Sequence, residues 1–357
     1  MNYIKQILMY AVAGACLLTP AGAETYYQHP GDPSGGPAGY GYSSIRESDR
    51  WYTQPNGGGD KATVAPTTPT GAGNHYITGT TLRTPLNGTA YTFYADSLTV
   101  NTIDGNIMFK ATASTTLTFT GSLILNDGAA LNQNTATSGN PGGFSTIQTL
   151  SAPIGIYLND NVTFKQTQGL NGTGDQLIAK MVIDAPLIGG GALLISNMGG
   201  NANTGWQLTL NGDNSAYTGD ITLINGSTNL SAATSTSLII AEGSNLGTGS
   251  LALGIYSILT LKDADALALN SGLVIDHATT QINLDDDIIY NLQSFTYSGT
   301  TYTDAGYTIG GMDSSADLKI NQIIGNGWFE IIAIPEPTTW LLLSVGAGLL
   351  IFLRPRK

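Results

Sequence analysis

Leu208-Thr209-Leu210-Asn211-Gly212-Asp213-Asn214-Ser215-Ala216-Tyr217-Thr218-Gly219-Asp220-Ile221-Thr222-Leu223 holds two apolar doublets on either side of a turn. In each doublet one hydroxyl residue separates two aliphatic ones. Strand side chains alternate between faces, so Leu208 and Leu210 share one side while Thr209 points to the other. Asn211-Gly212 between the doublets is a strong turn signal.

The same device recurs along the chain. It appears as Leu98/Val100, Ile107/Phe109, Leu117/Phe119 and Leu123/Leu125, then as Ile221/Leu223, Leu238/Ile240, Leu251/Leu253, Leu259/Leu261, Leu267/Leu269, Leu273/Ile275 and Ile282/Leu284. Asn126-Asp127-Gly128 and Asn225-Gly226 supply further turns. Two architectures use many short strands. A β-sandwich favours antiparallel hairpins and bulky core aromatics, whereas a solenoid stacks each doublet on the one below. The strands here are very short, the doublets are repetitive, and large aromatics are sparse. These features predict an all-β chain folded as a right-handed parallel β-helix or solenoid. At roughly 20–25 residues per coil, residues 76–310 would form about ten coils.

Composition agrees with an all-β chain. Of 357 residues, 11% are charged and 41% hydrophobic, and Gly numbers 46. Soluble globular domains carry about 25% charged residues, so this chain solvates itself mainly with hydroxyls and amides. Such a composition suits tight turns and strands better than long helices. The net charge is −12 with only 13 Lys and Arg. A nucleic-acid partner is excluded on this ground, because binding needs basic residues to displace phosphate counterions. Cys16 is the one cysteine and lies in the expected signal peptide, so a mature chain would have no disulfide or thiol chemistry.

Both ends carry their own signals. Lys5 precedes the apolar stretch Ile7 to Leu18, and Ala21-Gly22-Ala23 before Glu24 fits a signal-peptidase site. Ala13-Gly14-Ala15-Cys16 is a competing, poorer match to a lipoprotein box. At the other end, Ile334-Pro335-Glu336-Pro337-Thr338-Thr339-Trp340 leads into Leu341 to Leu353 and then Arg354-Pro355-Arg356-Lys357. The apolar run is slightly short of the usual span of about 20 residues. Trp340 suits a membrane interface, and the basic tail suits a cytoplasmic end.

Pro335-Glu336-Pro337, the apolar helix and the tail of Arg354, Arg356 and Lys357 resemble a PEP-CTERM sorting signal. That resemblance implies recognition and cutting near the triplet by an exosortase, a membrane-embedded cysteine transpeptidase. It also implies a Gram-negative host that makes extracellular polysaccharide. Leu187-Ile188-Gly189-Gly190-Gly191-Ala192-Leu193 and the stretch 208–223 resemble the autotransporter-associated β-strand repeat, which implies a parallel β-helix. Leu246-Gly247-Thr248-Gly249-Ser250-Leu251 is similar to the segment that often follows that repeat. A full autotransporter would continue into a translocator barrel, where this sequence instead has the sorting-signal pattern, so exosortase handling is the expected route rather than self-secretion.

The expected organisation is a signal peptide over 1–23, an irregular Tyr/Gly/Pro-rich leader and cap over 24–75, a solenoid over 76–333 and the sorting signal over 334–357. Trp51-Tyr52 is expected to pack as a small plug, and residues 291–311 and Ile320 to Ile332 as the closing strands.

Candidates for chemistry are few. His29, His75 and His277 are scattered, whereas a zinc site or a triad needs converging groups. Asp285-Asp286-Asp287, with Asp263 and Asp265, is the best acidic cluster. Consecutive carboxylates alternate sides on a strand, which spoils a catalytic pair. Asn159-Asp160-Asn161 offers oxygen ligands without a recognised calcium loop. Asn87, Asn161, Asn171 and Asn225 begin sequons, which read as turn residues in a bacterium. No catalytic, cofactor or metal residues are expected. The expected function is an exported, matrix-associated structural or adhesive protein, with a polysaccharide-degrading or polysaccharide-binding β-helix as the alternative. Its expected partners are the Sec-type export machinery, an exosortase, the membrane, and extracellular polysaccharide or further copies of itself.

Overall fold

The computed structural model describes residues 23–28, 43–44, 51–55, 58–63, 65–71, 73–84, 90–101, 106–110, 113–126, 128–134, 147–167, 177–199, 204–267, 272–285, 288–312 and 314–332. These residues are all-β with long parallel sheets. Helix is confined to short 3-10 turns at Pro69–Gly71, Ala232–Thr234 and Ala264–Leu267.

Three sheets of seven, eleven and nine strands run through the described residues, with a fourth of four strands at the C-terminal end. Between His75 and Leu210 successive strands enter the first, second and third sheets in turn. Ser97–Val100, Asn106–Phe109 and Thr115–Phe119 make one such circuit. Each strand then lies parallel to the equivalent strand of the next circuit. Leu98 sits beside Leu123, Leu123 beside Ile156 and Ile156 beside Leu187. From Ile221 to Leu284 the strands alternate between the second and third sheets alone.

The doublets form these ladders because their register aligns like with like. Leu208 and Leu210 pair with Leu238 and Ile240, which pair in turn with Leu259 and Leu261. All six are at most 1% exposed. Fully burying one aliphatic side chain is worth about 1.5–3 kcal/mol, but one circuit cannot bury its own residues without neighbours above and below. The circuits also vary in length. Asn126 bonds Asn101 across 25 residues, Asn159 bonds Asn126 across 33, and Lys262 bonds Asp285 across 23. The middle circuits are thus longer than the sequence repeat suggested. One doublet departs from the strand reading: Leu267 ends the 3-10 turn Ala264–Leu267, and Leu269 lies outside the described residues.

A buried amide column stitches the second sheet to the third. Gln133, Gln166, Asn197 and Asn225 are register neighbours at the ends of successive strands, and all are buried. Gln133 Nε2 donates to the Lys180 carbonyl at 3.0 Å, and Gln133 Oε1 accepts from Trp206 Nε1 at 2.8 Å. Asn197 Nδ2 donates to the carbonyls of Thr204 and Thr234, both at 2.8 Å. Buried amides need such partners, since an orphaned one costs about 1–3 kcal/mol.

Both ends of the stack are covered. At the N-terminal end Thr25–Gln28 pairs parallel with His75–Thr78 and antiparallel with Trp51–Tyr52. The stretch read as irregular therefore contributes strands to the first sheet. Trp51 is fully buried, with its ring centroid 4.9 Å from Tyr76 in an edge-to-face contact. Tyr76 in turn meets Phe93 at 5.1 Å. These rings form the plug expected of Trp51. At the other end Thr300–Tyr302 reverses against Phe295–Tyr297. Ile289–Leu292, Trp328–Ile331, Thr308–Gly310 and Leu318–Lys319 make the fourth sheet, with Tyr290 and Phe329 turned inward. Residues 291–311 and Ile320 to Ile332 thus supply closing strands, as expected.

Candidate functional site

The turn between the two opening doublets is held by side chains. Asn214 is 1% exposed, and its Oδ1 accepts from the Leu187 backbone N–H at 2.7 Å. Its Nδ2 donates to the Asn245 carbonyl at 2.5 Å on the next circuit. One side chain thereby joins three circuits. Tyr217 is fully buried, and its hydroxyl donates to the Gly191 carbonyl at 2.7 Å. Burial, followed by the nearby Asp220 carboxylate, pushes that phenol well above its usual range. Gly219 follows because a Cβ there would stand 2.1 Å from the Gly191 carbonyl oxygen. Gly191 meets the Asp160 carbonyl in the same way at 2.0 Å, and Gly249 the Gly219 carbonyl at 1.9 Å. The motif residues are thus a stacking device in which only glycine admits the backbone below.

The same corner opens as a groove of about 640 Å³, lined by Asn159, Asp160, Asn161, Gly191, Thr218 and Asp220 among others. Its groups are amides, backbone and two carboxylates. Asp220 Oδ1 accepts from the Ser250 hydroxyl at 2.7 Å and the Ser250 N–H at 2.8 Å. These bonds hold its carboxyl below the usual range. Among the described residues no group of three or more His, Cys, Asp or Glu is placed to hold a metal ion.

No family model matches this chain, and no curated protein or solved structure does either.

The sequence-derived candidates scatter across the molecule. Asp263 accepts from the N–H groups of Asp265 and Gly243, both at 2.9 Å, which lowers its pKa. Asp285 meets Lys262 at 2.8 Å, and Asp286 and Asp287 lie outside the described residues. His277 Nδ1 bonds Thr279 within its own turn at 2.8 Å. Asn225, which begins a sequon, is buried with its Nδ2 on Thr234.

One arrangement escaped sequence reading. His75, Ser97 and Asp96 meet on the first sheet, with His75 Nδ1 2.9 Å from Ser97 Oγ and 3.5 Å from Asp96 Oδ2. A nucleophilic triad uses one ring nitrogen for the serine and the other for the acid. Here both partners face the same nitrogen, so the acid cannot orient the ring for the serine. Only strand register brings these residues together, with His75 and Ser97 directly paired.

Of the processing residues, Ala23 and Glu24 are exposed and directly precede the first strand. The Glu24 carbonyl accepts from the His75 N–H at 2.8 Å, and its side chain accepts from the Tyr26 hydroxyl. Burial first, and then this bond, push the Tyr26 phenol up to about 12. Ala21, Pro335, Glu336, Pro337, Arg354, Arg356 and Lys357 lie outside the described residues, as do Cys16 and His29.

Proposed function

We propose that this chain is an exported, non-catalytic protein of the cell surface or extracellular matrix. In this reading its body winds as a right-handed parallel β-solenoid that presents polar walls for structural or adhesive contact. Signal peptidase cuts between Ala23 and Glu24. The C-terminal helix then holds the chain in the membrane until an exosortase acts at Pro335 to Pro337. The observation that carries the reading is the long run of in-register parallel strands with reversed strands at both ends, in a chain with an apolar segment before Ala21-Gly22-Ala23 and another after Pro335-Glu336-Pro337. Several carboxylates are held by bonds within the stack: Asp213 accepts from Asn245, Asp220 from Ser250 and Asp263 from Asp265, and Asp285 pairs with Lys262. Repeated weak contacts along such walls sum to useful avidity.

Cell fractionation of the native host tests the processing. The natural chain should appear as a shortened product outside the cytoplasmic membrane. A Pro335→Ala/Glu336→Ala chain should stay at full length in the membrane fraction. Identical size and location for the two chains would refute processing at this triplet.

A further inference from the structure

Resting on that reading, we infer that the outer face of the first sheet is a docking track for an uncharged polysaccharide. Register places Tyr27, Ile77, Thr99, Ile124, Tyr157 and Ile188 in one unbroken column running across the strands. Each of the six is partly exposed; the first five lie between buried neighbours, and Ile188 follows buried Leu187. Two residues further along three of these strands stand Asn101, Asn126 and Asn159. Their side chains form a ladder: Asn126 Nδ2 donates to Asn101 Oδ1, and Asn159 Nδ2 to Asn126 Oδ1, both at 2.9 Å. A carboxamide has two N–H donors and two acceptor lone pairs, so each rung keeps hydrogen-bonding capacity for an outside partner.

The chemistry of this face selects its occupant. Tyr27 and Tyr157 stand four strand steps apart, about 19 Å at the usual strand spacing, and partly exposed Tyr52 pairs with Tyr27 at the sheet's edge. They offer apolar platforms with a polar tip, on which the C–H faces of sugar rings rest while sugar hydroxyls meet the amide ladder. The strands of this sheet contain no carboxylate, Lys or Arg, in a chain whose net charge is −12. Glu24, Asp96 and Asp160 flank it, and at its edge Lys61 bridges to Tyr52 with its ammonium 5.9 Å from that ring. Three carboxylates against one ammonium disfavour an anionic polymer, and a cationic one finds no carboxylate on the track itself. The third sheet differs. Its outer column of Thr116, Thr149, Val182, Thr209, Ile239, Thr260 and Asn283 has no aromatic ring, and Asp184 and the Lys262–Asp285 pair lie beside it.

Affinity electrophoresis of the full-length chain through gels containing hydroxyethylcellulose or alginate tests the inference. The neutral glucan should slow the chain equally at low and high salt, and alginate should not. Tyr27→Ala/Tyr157→Ala should weaken the association about tenfold or more, the scale expected for losing two aromatic anchors. Thr149→Ala/Thr209→Ala on the third sheet should stay within about twofold. Should Tyr27→Ala disturb the fold by circular dichroism, Ile124→Ser/Tyr157→Ser gives the same test beyond the cap. Retardation unchanged by the tyrosine substitutions, retardation by alginate instead, or none by either polymer would each overturn the inference. The fractionation result decides the export reading separately.

Discussion

From His75 to Leu210 each circuit of the chain has three strands, whereas from Ile221 to Leu284 it has two strands and a turn. In the first region the third side is a backbone ladder, as between Ser97–Val100 and Ser122–Leu125. Such a ladder asks little of its outward side chains. In the second region that side is a pile of turns: the Thr248 N–H donates to the Tyr217 carbonyl at 2.9 Å, and the Leu246 N–H to the Ala266 carbonyl at 3.0 Å. Particular side chains hold the pile in place, chiefly Asn214 and Tyr217, with glycine wherever backbones touch. Two sheets in register thus keep the stack aligned, and the third side is either generic or residue-specific.

The sharpest way to break this contrast is at Gly219. Replacing it with Val drives a Cβ into the Gly191 carbonyl, and we expect a loss of about 4 kcal/mol or more in urea unfolding. Gly243 has a positive φ, of 74°, but a Cβ there meets nothing within 4 Å. Gly243→Ala should cost about 1 kcal/mol from backbone strain alone.

Core truncation should not distinguish the regions. Leu123→Ala in the three-strand region and Leu251→Ala in the two-strand region both empty fully buried sites. Each should cost about 2–5 kcal/mol by the same unfolding measurement. A clear difference between them would show that the turn pile leaves the core looser.

Asparagines should separate the regions again. Asn214→Ala orphans the Leu187 N–H and should cost about 1–3 kcal/mol. Asn159→Ala removes an exposed ladder rung and should change stability by less than about 0.5 kcal/mol. Thermal melts of the two variants check this.

The smallest effect concerns pH. Asp213 and Asp220 both lie in the turn pile, and their folded pKa values are depressed, chiefly by bonds from Asn245 and Ser250 respectively. A depressed folded value means that the stabilisation is present above the ordinary carboxylate pKa of about 3.9 and is lost as pH falls through the lower folded value. The melting temperature should therefore fall as the pH drops below about 4. The fall should be shallower in Asp213→Asn/Asp220→Asn.

Legibility in the sequence followed the same division. The doublets Leu98/Val100, Leu208/Leu210 and Leu259/Leu261 were readable as inward pairs because alternation needs no tertiary information. Residues 147–197 were largely silent, although Leu150, Ile156, Leu158, Val162, Phe164, Met181 and Ile183 are all buried there. Gln148 and Gln166 take inward positions there and break the apolar pattern, while Lys165 and Lys180 face outward. The turn motif from Asn214 to Gly219 stood out because its job belongs to side chains. The His75–Ser97 contact and the tyrosine column did not, since each is assembled from strands far apart in the chain.

The sequence by itself determined that the chain forms short strands with one apolar face, that its composition is acidic and amide-rich, and that an apolar segment lies near each terminus. Those properties follow from residue type and local spacing. Only the tertiary structure decided which doublet lies on which, where three strands give way to two and a turn, and which distant residues share an outer column. Register is set by packing between circuits more than 20 residues apart, and a slip of one residue would send every side chain to the opposite face.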